Sequence, residues 1–565
     1  MFAPLLRPRL RLLRLALGLA LLAGSAAGGG GGAARSVSAA IVVHADVLVA
    51  SQLSGALVGH GIEDVNHELV GGIDVNAVFG ESFEEPAGPG GVSGAPGGAA
   101  RATWAALAPV PQGCTFEVAV GDAFNGAQSQ AIVSAGATAS ACGVVNRGLG
   151  SGGLSLAPGV EYAVSFYAKR LAGAAPLTVA LMDGPAVVAS ATLAVAGAGA
   201  WAPFAAMLSI PTTFAGTVCS QDAAPLVPCA ANSDNLCITC SGALAIALPA
   251  GAAGSVLLDQ VSLIAQSGGP GPADGLPDSR RDVVALLSPG PGFGATPFGM
   301  GVTALRLGGS AILVDGYRWK SWRGPAALRT PYEGFWYSSP SSRRWGFFEF
   351  LALCERIRSI RLCVTTMNSN ETLQDVDDFV EYAYGDALTT LWGAQRSADG
   401  HEAPYAPFAI EIGNEQSHTS AAFIAQVAGF ARAIARASLR LQLPFKIATL
   451  IGVTPGAWAP ASVLPLASAL SGPDFAPLDL MLDFHIGGDS PATDPVQAFA
   501  FIAGVRDALA NASSTIRGAV LEENGGRHDM ERALGHARNS NRLHCLGDFV
   551  RIETAANGLQ VVGRK

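Results

Sequence analysis

Two acidic strand ends contain the residue types best suited to chemistry, and the first of them lies near residue 415. Phe408, Ile410 and Ile412 alternate with other residues in a short run that predicts a β-strand. The run ends on Asn414-Glu415, where an amide that can bind a hydroxyl precedes a carboxyl group that can give or take a proton. Such a pair is also an ordinary helix cap, so this segment alone leaves both interpretations open.

The second acidic strand end is Glu522-Glu523, which follows an apolar run at 518–521. Another predicted strand, between the two acidic ends, finishes at His485, which could orient a carboxylate or bind a hydroxyl. Two carboxyl groups about 5 to 5.5 Å apart serve a retaining glycosidase as acid/base and nucleophile. The structural alternatives are that Glu522-Glu523 caps the next helix and that His485 is a hydrogen-bonded core residue.

The segments that must position these residues alternate between strand and helix patterns. This alternation implies parallel pairing, and the number of strands approaches the eight of a closed (β/α)8 TIM barrel. In such a barrel the active site is built at the C-terminal ends of the strands. The predicted strands are 302–307, 360–367, 409–412, 446–451, 480–485, 516–523 and 548–553, and the predicted helices are 281–287, 347–357, 373–384, 420–441 and 495–510.

Residues 101–266 have a different pattern, with short β-like runs separated by Gly, Pro and Ala turns. This pattern is typical of an antiparallel β-sandwich. Gly/Pro-rich linkers at 86–100 and 268–277 flank it, so we predict an α/β fold in which residues 39–99 begin the barrel and 280–565 complete it. Aromatic residues in the sandwich could stack on sugar rings or fill its core, and the sequence leaves this open for Trp104, Tyr162, Phe166, Tyr167 and Trp201.

Composition and targeting signals indicate a secreted protein. The net charge of -9 argues against a nucleic-acid partner. Residues 1–27 combine arginines, an apolar run at 15–22 and small residues at 25–27, which predicts a secretory signal peptide, with an Arg-rich transit peptide as the alternative. Asn370 and Asn511 begin glycosylation sequons. We expect a secreted, extracellular or cell-wall location and no membrane span.

The nine cysteines favour disulfides over a metal site. Four of them, Cys219, Cys229, Cys237 and Cys240, crowd into one segment, but their spacing is irregular and no histidine lies nearby. An odd number leaves one thiol unpaired. We found no cluster with metal-ligand spacing, so we predict neither a metal nor an organic cofactor.

Ordered sequence blocks resemble glycoside hydrolase family 51, the α-L-arabinofuranosidases. One block is Leu305-Arg306-Leu307-Gly308-Gly309-Ser310 and another is Ile410-Glu411-Ile412-Gly413-Asn414-Glu415. The sandwich is similar to the carbohydrate-binding-like, jelly-roll module of the plant members, down to its 258–262 segment. The remaining blocks, in the same order as in the family, are 59–67 with Gly71-Gly72, Trp319-Lys320 with Gly324-Pro325 and Arg329, 346–355, 380–382 and 393–401.

The resemblance implies a barrel that hydrolyses terminal arabinofuranosyl linkages of an arabinose-containing glycan with retention. Glu415 matches the family's acid/base, and Asn414 matches the amide that binds the sugar 2-hydroxyl. Glu63 matches an acid that holds sugar hydroxyls, and His485 falls near the nucleophile. Ser310 stands where the family commonly has Cys or Asn, which makes that sugar contact a departure from the pattern.

The family register places the nucleophile at Glu523, with Glu522 as the alternative because Asn524 replaces the expected aromatic residue. Such a reaction requires a raised pKa at Glu415 in the free enzyme. Because the sequence ends at Lys565, we expect neither the C-terminal β-sandwich of the family nor the eighth barrel helix. A truncated gene model, an unusual compact member or an inactive relative would each account for this. Another retaining glycosidase of the same clan and a non-catalytic carbohydrate-binding relative are the rival functions.

Overall fold

The structure is a computed structural model that describes residues 59–65, 68–88, 90–93, 103–195, 199–220, 239–266, 271–290, 299–336, 340–454, 459–487, 495–524 and 530–556. The predicted signal peptide, residues 39–58 of the predicted first barrel segment, Asn66, His67, Cys229 and Cys237 lie outside these residues. None of the helices in these ranges combines the length and apolar character that crossing a membrane requires.

Eight strands form a closed barrel in chain order, and every neighbouring pair is parallel. The predicted (β/α)8 barrel is thereby confirmed. The strands are β1 (Gly59–Glu63), β2 (Ala304–Gly308), β3 (Leu362–Met367), β4 (Ala409–Ser417), β5 (Ile447–Thr454), β6 (Leu478–Gly487), β7 (Arg517–Asn524) and β8 (Val550–Ala555).

Helices follow the strands around the outside of the barrel, where their apolar faces pack against the strands. The α-helices are α1 (Arg281–Leu287), α2 (Phe347–Arg356), α3 (Leu373–Tyr384), α4 (Leu391–Ala398), α5 (Ala421–Arg440), α6 (Leu464–Ala469), α7 (Pro495–Asn511) and α8 (Met530–His544). Thr372 and Ser420 cap α3 and α5 because their side chains accept backbone N–H groups of the first turn.

An antiparallel β-sandwich lies between β1 and α1 in the chain, as the turn-rich sequence pattern predicts. Trp104 and Phe166 are buried in its core, whereas Tyr167 and Trp201 are half-buried. One sheet has the order Trp104–Ala106, Cys142–Asn146, Gly242–Leu248, Leu177–Asp183 and Ala186–Leu193, and the other has the order Cys114–Val120, Gln128–Ala135, Ala253–Ala265, Glu161–Gly173 and Trp201–Ser209.

Disulfides and short secondary-structure elements complete the fold of the described residues. The disulfides are Cys114–Cys142 and Cys219–Cys240 in the sandwich and Cys354–Cys363 between α2 and β3, and Cys545 is an exposed free thiol. Short strand pairs are Cys219–Ser220 with Thr239–Cys240, Pro272–Ala273 with Leu276–Arg280, and Tyr332–Glu333 with Pro340–Ser341. Single helical turns are Leu69–Ile73, Leu149–Ser151, Gly309–Leu313, Trp319–Trp322, Ala326–Leu328, Pro460–Val463 and Pro473–Phe475.

The barrel interior changes from apolar to charged along the strands. Its apolar layer consists of Ala304, Val364, Ala409, Leu450, Met481, Ala519, Leu521 and Ile552. Side chains two positions apart on a strand share a face, so the next inward positions after Ala304, Ala409 and Met481 are polar. They are Arg306, Glu411 and Asp483, which are all buried. Closing the barrel therefore forces an arginine and two acids into one layer beneath the rim.

Candidate active site

Arg306, on β2, is the centre of the buried charged layer. Its Nε and Nη2 donate to the two carboxylate oxygens of Glu411 at 2.7 and 2.9 Å. Its Nη1 donates to Glu522 Oε1 at 2.6 Å, and Nη2 also donates to the amide oxygen of Asn414 at 2.7 Å. Removing a guanidinium from water costs several kcal/mol, which these charge-assisted contacts offset. Arg306 thus joins β2 to β4 and β7.

His485 bridges the two acids that face inward at the C-terminal end of the barrel. This end of the barrel interior is called the pocket below. Its Nδ1 lies 3.0 Å from Glu415 Oε1 and 3.3 Å from Glu522 Oε2, while its Nε2 lies 2.9 Å from Asp483 Oδ2. Ligand-type atoms of Glu415, His485 and Glu522 all lie within 4.8 Å of one another. Glu415 is 47% exposed at its side chain and Glu522 is 11% exposed. The rim therefore holds two close carboxylates, one open to solvent and one mostly buried.

A bulge at the end of β4 turns Glu415 towards the pocket. The register with β5 shifts between Ile412 and Gln416, and Glu415 has a left-handed backbone with φ of 54°. Gly413 has φ of 79°, and a Cβ there would lie 2.8 Å from the Phe423 ring. Glycine is therefore the residue that this turn tolerates. The strained, rim-exposed position of Glu415 is the kind of site where function concentrates.

A second bulge decides which acid of β7 faces the pocket. The pairing of β6 with β7 shifts between Asp483 and His485, so that His485 lies opposite Glu522. Asp483 Oδ1 accepts the backbone N–H of Leu521 at 2.6 Å, immediately before Glu522. Leu521 belongs to the apolar layer inside the barrel, and the next side chain, Glu522, also reaches inward. The extra residue of the bulge makes two consecutive inward side chains possible.

Glu523 points the other way, into the packing between the barrel wall and α8. Its Oε1 accepts Asn539 Nδ2 at 2.7 Å, and its Oε2 lies 2.8 Å from His536 Nδ1. The residue is 1% exposed. The geometry thus pairs Glu415 with Glu522, the alternative left open by the sequence, and places Glu523 against α8.

Glu63, Asn414 and Ser310 line the same end of the barrel. Glu63 ends β1 itself, and its Oε1 accepts the backbone N–H of Ser310 at 2.6 Å. Gly309 permits this approach, because a Cβ at that position would lie 1.7 Å from Glu63 Oε1. Since the Asn414 oxygen accepts from Arg306, its NH₂ group is the part that can donate to a ligand.

The charges in the site shift its pKa values in opposite directions. Burial opposes the charged form of His485, but the neighbouring charges of Glu522 and Asp483 raise its pKa well above the usual value. The hydrogen bond from His485 lowers the pKa of Glu415. Burial and then the charge of Glu522 raise the pKa of Glu63 to about 7. The expectation of a raised pKa at Glu415 is therefore wrong, because the hydrogen bond with His485 favours the charged form of Glu415.

Within the described residues, two groups of three side chains are close enough to hold a metal ion by distance alone. They are Glu411, Asp483 and His485, and Glu415, His485 and Glu522, each with ligand-type atoms within 4.8 Å of one another. Arg306 and His485 already place positive charge among these carboxylates. A cation would have to displace those contacts, so the donor set fits an ion-pair network better than a metal centre.

Comparison with known proteins finds relatives of the barrel. Residues 298–456 match a family model described as the alpha-L-arabinofuranosidase 1 domain. Part of the barrel, from β2 to β5, therefore resembles the α-L-arabinofuranosidases. An extracellular exo-alpha-L-arabinofuranosidase of Streptomyces chartreusis is 29% identical over 294 residues, which is 48% of this chain and 31% of that relative. This chain therefore spans about a third of the length of that curated relative.

The fold resembles that of a solved α-L-arabinofuranosidase. The solved structure of the arabinose-bound MgGH51 α-L-arabinofuranosidase superimposes with a TM-score of 0.62 at 17% identity, covering 90% of this chain and 75% of that one. The predicted resemblance to glycoside hydrolase family 51 is confirmed by these matches.

Other residues of the arabinofuranosidase sequence blocks hold the loops around the rim. Arg329 Nη2 donates to Glu349 at 2.8 Å, and Lys320 donates to Asp375 at 2.7 Å. Asp64, next to Glu63, accepts the Ser341 hydroxyl at 2.6 Å. These contacts fix the long connection between β2 and α2, which rises from the C-terminal end of the barrel.

Three members of the site were not among the residues predicted from the arabinofuranosidase resemblance. They are Arg306, Glu411 and Asp483, and each is a charged residue in an otherwise apolar strand. In the sequence, each of these charged residues comes two positions after a small or apolar residue that faces into the barrel. This spacing is the signal that marks them as inward-facing. That signal becomes readable once the inward face of each strand is known, because a shift of one residue exchanges the two faces.

Proposed function

We propose that this chain is a retaining glycoside hydrolase that releases terminal α-L-arabinofuranosyl residues from arabinose-containing glycans. The observation that carries the proposal is the pair Glu415 and Glu522 at one rim, with ligand-type oxygens within 4.8 Å. Retaining glycosidases hold their two carboxyl groups about 5 to 5.5 Å apart, whereas inverting enzymes need about 6.5 to 9.5 Å to admit a water molecule. The match of residues 298–456 to the alpha-L-arabinofuranosidase 1 domain supports arabinofuranose as the sugar.

The roles follow from exposure and contacts. Glu522, held by Arg306 and mostly buried, attacks the anomeric carbon and forms a glycosyl-enzyme. Glu415, which is open to solvent, protonates the leaving oxygen and then deprotonates the water that hydrolyses the intermediate. Asn414 and Glu63 are placed to bind sugar hydroxyls, and Ser310 contributes its backbone N–H to the position of Glu63.

The proton for the first step comes from His485. In the free site the imidazole has the raised pKa and Glu415 the lowered one. Transfer of the Nδ1 proton across the 3.0 Å contact to Glu415 Oε1 leaves a neutral imidazole and a protonated acid. The two groups therefore titrate as a pair, and the alkaline limb of the activity profile belongs to both of them.

The sandwich is proposed to bind carbohydrate, and the chain to be secreted. Phe124 and Tyr167 are stacked with ring centroids 3.4 Å apart, and Trp201 lies beside them. Half-buried aromatic rings of this kind can stack on sugars. Secretion is supported by the predicted signal peptide, the disulfides, the exposed sequon residues Asn370 and Asn511, and a matched relative described as extracellular.

The first experiment is hydrolysis of 4-nitrophenyl α-L-arabinofuranoside by the full chain and by Glu415→Ala. We expect the variant to lose about 10² to 10⁴-fold in turnover, with a smaller loss for a dinitrophenyl leaving group that needs no protonation. Azide should partly restore turnover, since it can attack the glycosyl-enzyme without a general base. Glu402→Ala, which changes an exposed acid in the connection that leads from α4 into the start of β4, is the matched control.

A panel of other nitrophenyl glycosides separates the rival functions. Turnover of a xyloside or glucoside with none of the arabinofuranoside would assign another retaining glycosidase. Binding of arabinan without hydrolysis of any substrate would assign a non-catalytic relative. Activity of Glu415→Ala equal to that of Glu402→Ala on every leaving group would remove Glu415 from the mechanism.

A further inference from the structure

Asp483 lies below the rim and touches two parts of the site at once. It is 0% exposed, and its two carboxylate oxygens have different partners. Oδ2 lies 2.9 Å from His485 Nε2, and Oδ1 accepts the Leu521 N–H at 2.6 Å. Leu521 precedes Glu522, so one side chain contacts both the bridging imidazole and the bulged segment that contains the inward acid.

The partners of Asp483 determine where the protons of His485 are. An ionised carboxylate only accepts hydrogen bonds, so His485 Nε2 must hold a hydrogen in its contact with Asp483. The other nitrogen, Nδ1, faces Glu415 and Glu522, and it can bond to ionised carboxylates only as a donor. With both contacts formed, His485 has two hydrogens and a positive charge.

We propose that Asp483 is a positioning residue that keeps the catalytic proton on His485 while it holds the β7 bulge that turns Glu522 into the pocket. This inference rests on the proposed glycosidase function for its kinetic test. It concerns a residue that makes no contact with the reacting atoms and acts through His485 and Leu521. The proposal also predicts the protonation state of His485, which can be measured without any substrate.

Charged groups from five strands surround His485, and they agree with this assignment. Asp483 is on the same strand, β6, and the others are Glu63 on β1, Arg306 on β2, Glu411 and Glu415 on β4, and Glu522 on β7. Burial raises the pKa of Glu411 to about 7, against the opposing charge of Arg306. Burial also opposes ionisation of Asp483, but the His485 charge and hydrogen bond outweigh it and lower the pKa. Asp483 is thus the anion that His485 keeps ionised.

Asp483→Asn separates the two roles. Its amide oxygen can still accept the Leu521 N–H, but its NH₂ group would face His485 Nε2 and favour a neutral imidazole. The pair of His485 and Glu415 then loses its proton more readily. We expect the alkaline limb of kcat/KM for a nitrophenyl arabinofuranoside to move down by about 1 to 3 pH units, the size of shift that a nearby opposite charge produces. At the acidic optimum kcat should stay within about tenfold of wild type.

Asp259→Asn is the matched control. Asp259 is also 0% exposed and accepts backbone N–H groups, from Phe124, Asn125 and Gln260, but it lies in the sandwich. It should lower stability without moving the alkaline limb. An alkaline limb of Asp483→Asn that coincides with wild type, or an equal shift in Asp259→Asn, would overturn the inference.

Two further measurements keep the outcome decisive. An NMR titration of the His485 imidazole should give a pKa well above the usual range in wild type and a lower one in Asp483→Asn, even if the chain hydrolyses nothing. No hydrolysis by wild type would refute the proposed function alone, whereas an unchanged titration would refute the role of Asp483. Should Asp483→Asn not fold, His485→Gln keeps the Asp483 contact with Leu521 and must lower the alkaline limb as well.

Discussion

The two sides of β7 contain adjacent glutamates with opposite fates. On the pocket side, Glu522 meets the cations Arg306 and His485 and lies close to Glu415. On the outer side, Glu523 meets Asn539 and His536 of α8. Both residues are glutamates and they are adjacent in the sequence, so only the face of the strand on which each side chain lies distinguishes Glu522 from Glu523.

The difference shows what makes a carboxylate useful for catalysis. Glu522 has a neighbouring acid, Glu415, within 4.8 Å, and its charge is held by side chains that come from other strands. Glu523 is held by one helix and is 1% exposed, so no substrate reaches it. A nucleophile must be both preorganised and accessible to its electrophile. The outer side satisfies the first condition and fails the second.

The largest expected effect comes from exchanging each glutamate for its amide. Glu522→Gln should lower kcat by at least about 10⁴-fold, because an amide cannot form the glycosyl-enzyme. Glu523→Gln should leave kcat within about tenfold and lower the melting temperature by a few degrees. Single-turnover kinetics and thermal unfolding of both variants check this. Loss of activity in Glu523→Gln with an active Glu522→Gln would reverse the assignment.

A second test removes the cation on the pocket side. Arg306→Met leaves the Glu411 carboxylate buried without its partner, so we expect a loss of about 3 to 5 kcal/mol in the free energy of unfolding. Arg440→Met breaks ion pairs at a guanidinium that is 44% exposed and should cost under about 1 kcal/mol. Equal losses in urea unfolding would contradict the view that burial makes the pocket network strong.

The smallest effect belongs to the outer side and depends on pH. Burial raises the pKa of Glu553 to about 8, with a further contribution from Glu523, although the Ser540 hydroxyl opposes it. The folded state therefore binds more protons than the unfolded state between about pH 4.5 and 8, and stability falls as pH rises through that window.

Glu553→Gln should flatten this slope, with a difference of about 2 to 4 kcal/mol between pH 5 and pH 8. Urea unfolding of both proteins at the two pH values measures the difference. A variant with the wild-type slope would show that Glu553 does not bind the extra proton.

Much of the site was predictable because strand ends and motif blocks are local features. Asn414-Glu415 at a strand end, His485 at another and Glu63 in the first block all lie at the C-terminal end of the barrel. The first barrel strand was not among the predicted strands, since β1 is Gly59–Glu63 itself and Glu63 is its last residue. β1 is difficult to recognise as a strand from the sequence, because it is rich in glycine and has few of the β-branched residues that are typical of strands.

The choice between Glu522 and Glu523 could not be predicted in the same way. A regular strand sends alternate residues to one face, and that rule places Glu523 with Leu521 and Ala519 inside the barrel. The β-bulge next to Asp483 breaks the alternation. A bulge has a weak local signature, because it is stabilised by a contact with another strand.

The sequence by itself determined the barrel, the inserted sandwich and the two acidic strand ends, since periodicity, turn residues and motif order are properties of neighbouring positions. Only the tertiary structure decided which of two adjacent glutamates meets Glu415, and that His485 bridges the two acids. Both depend on distances between charges from different strands, which exist only after the barrel has closed.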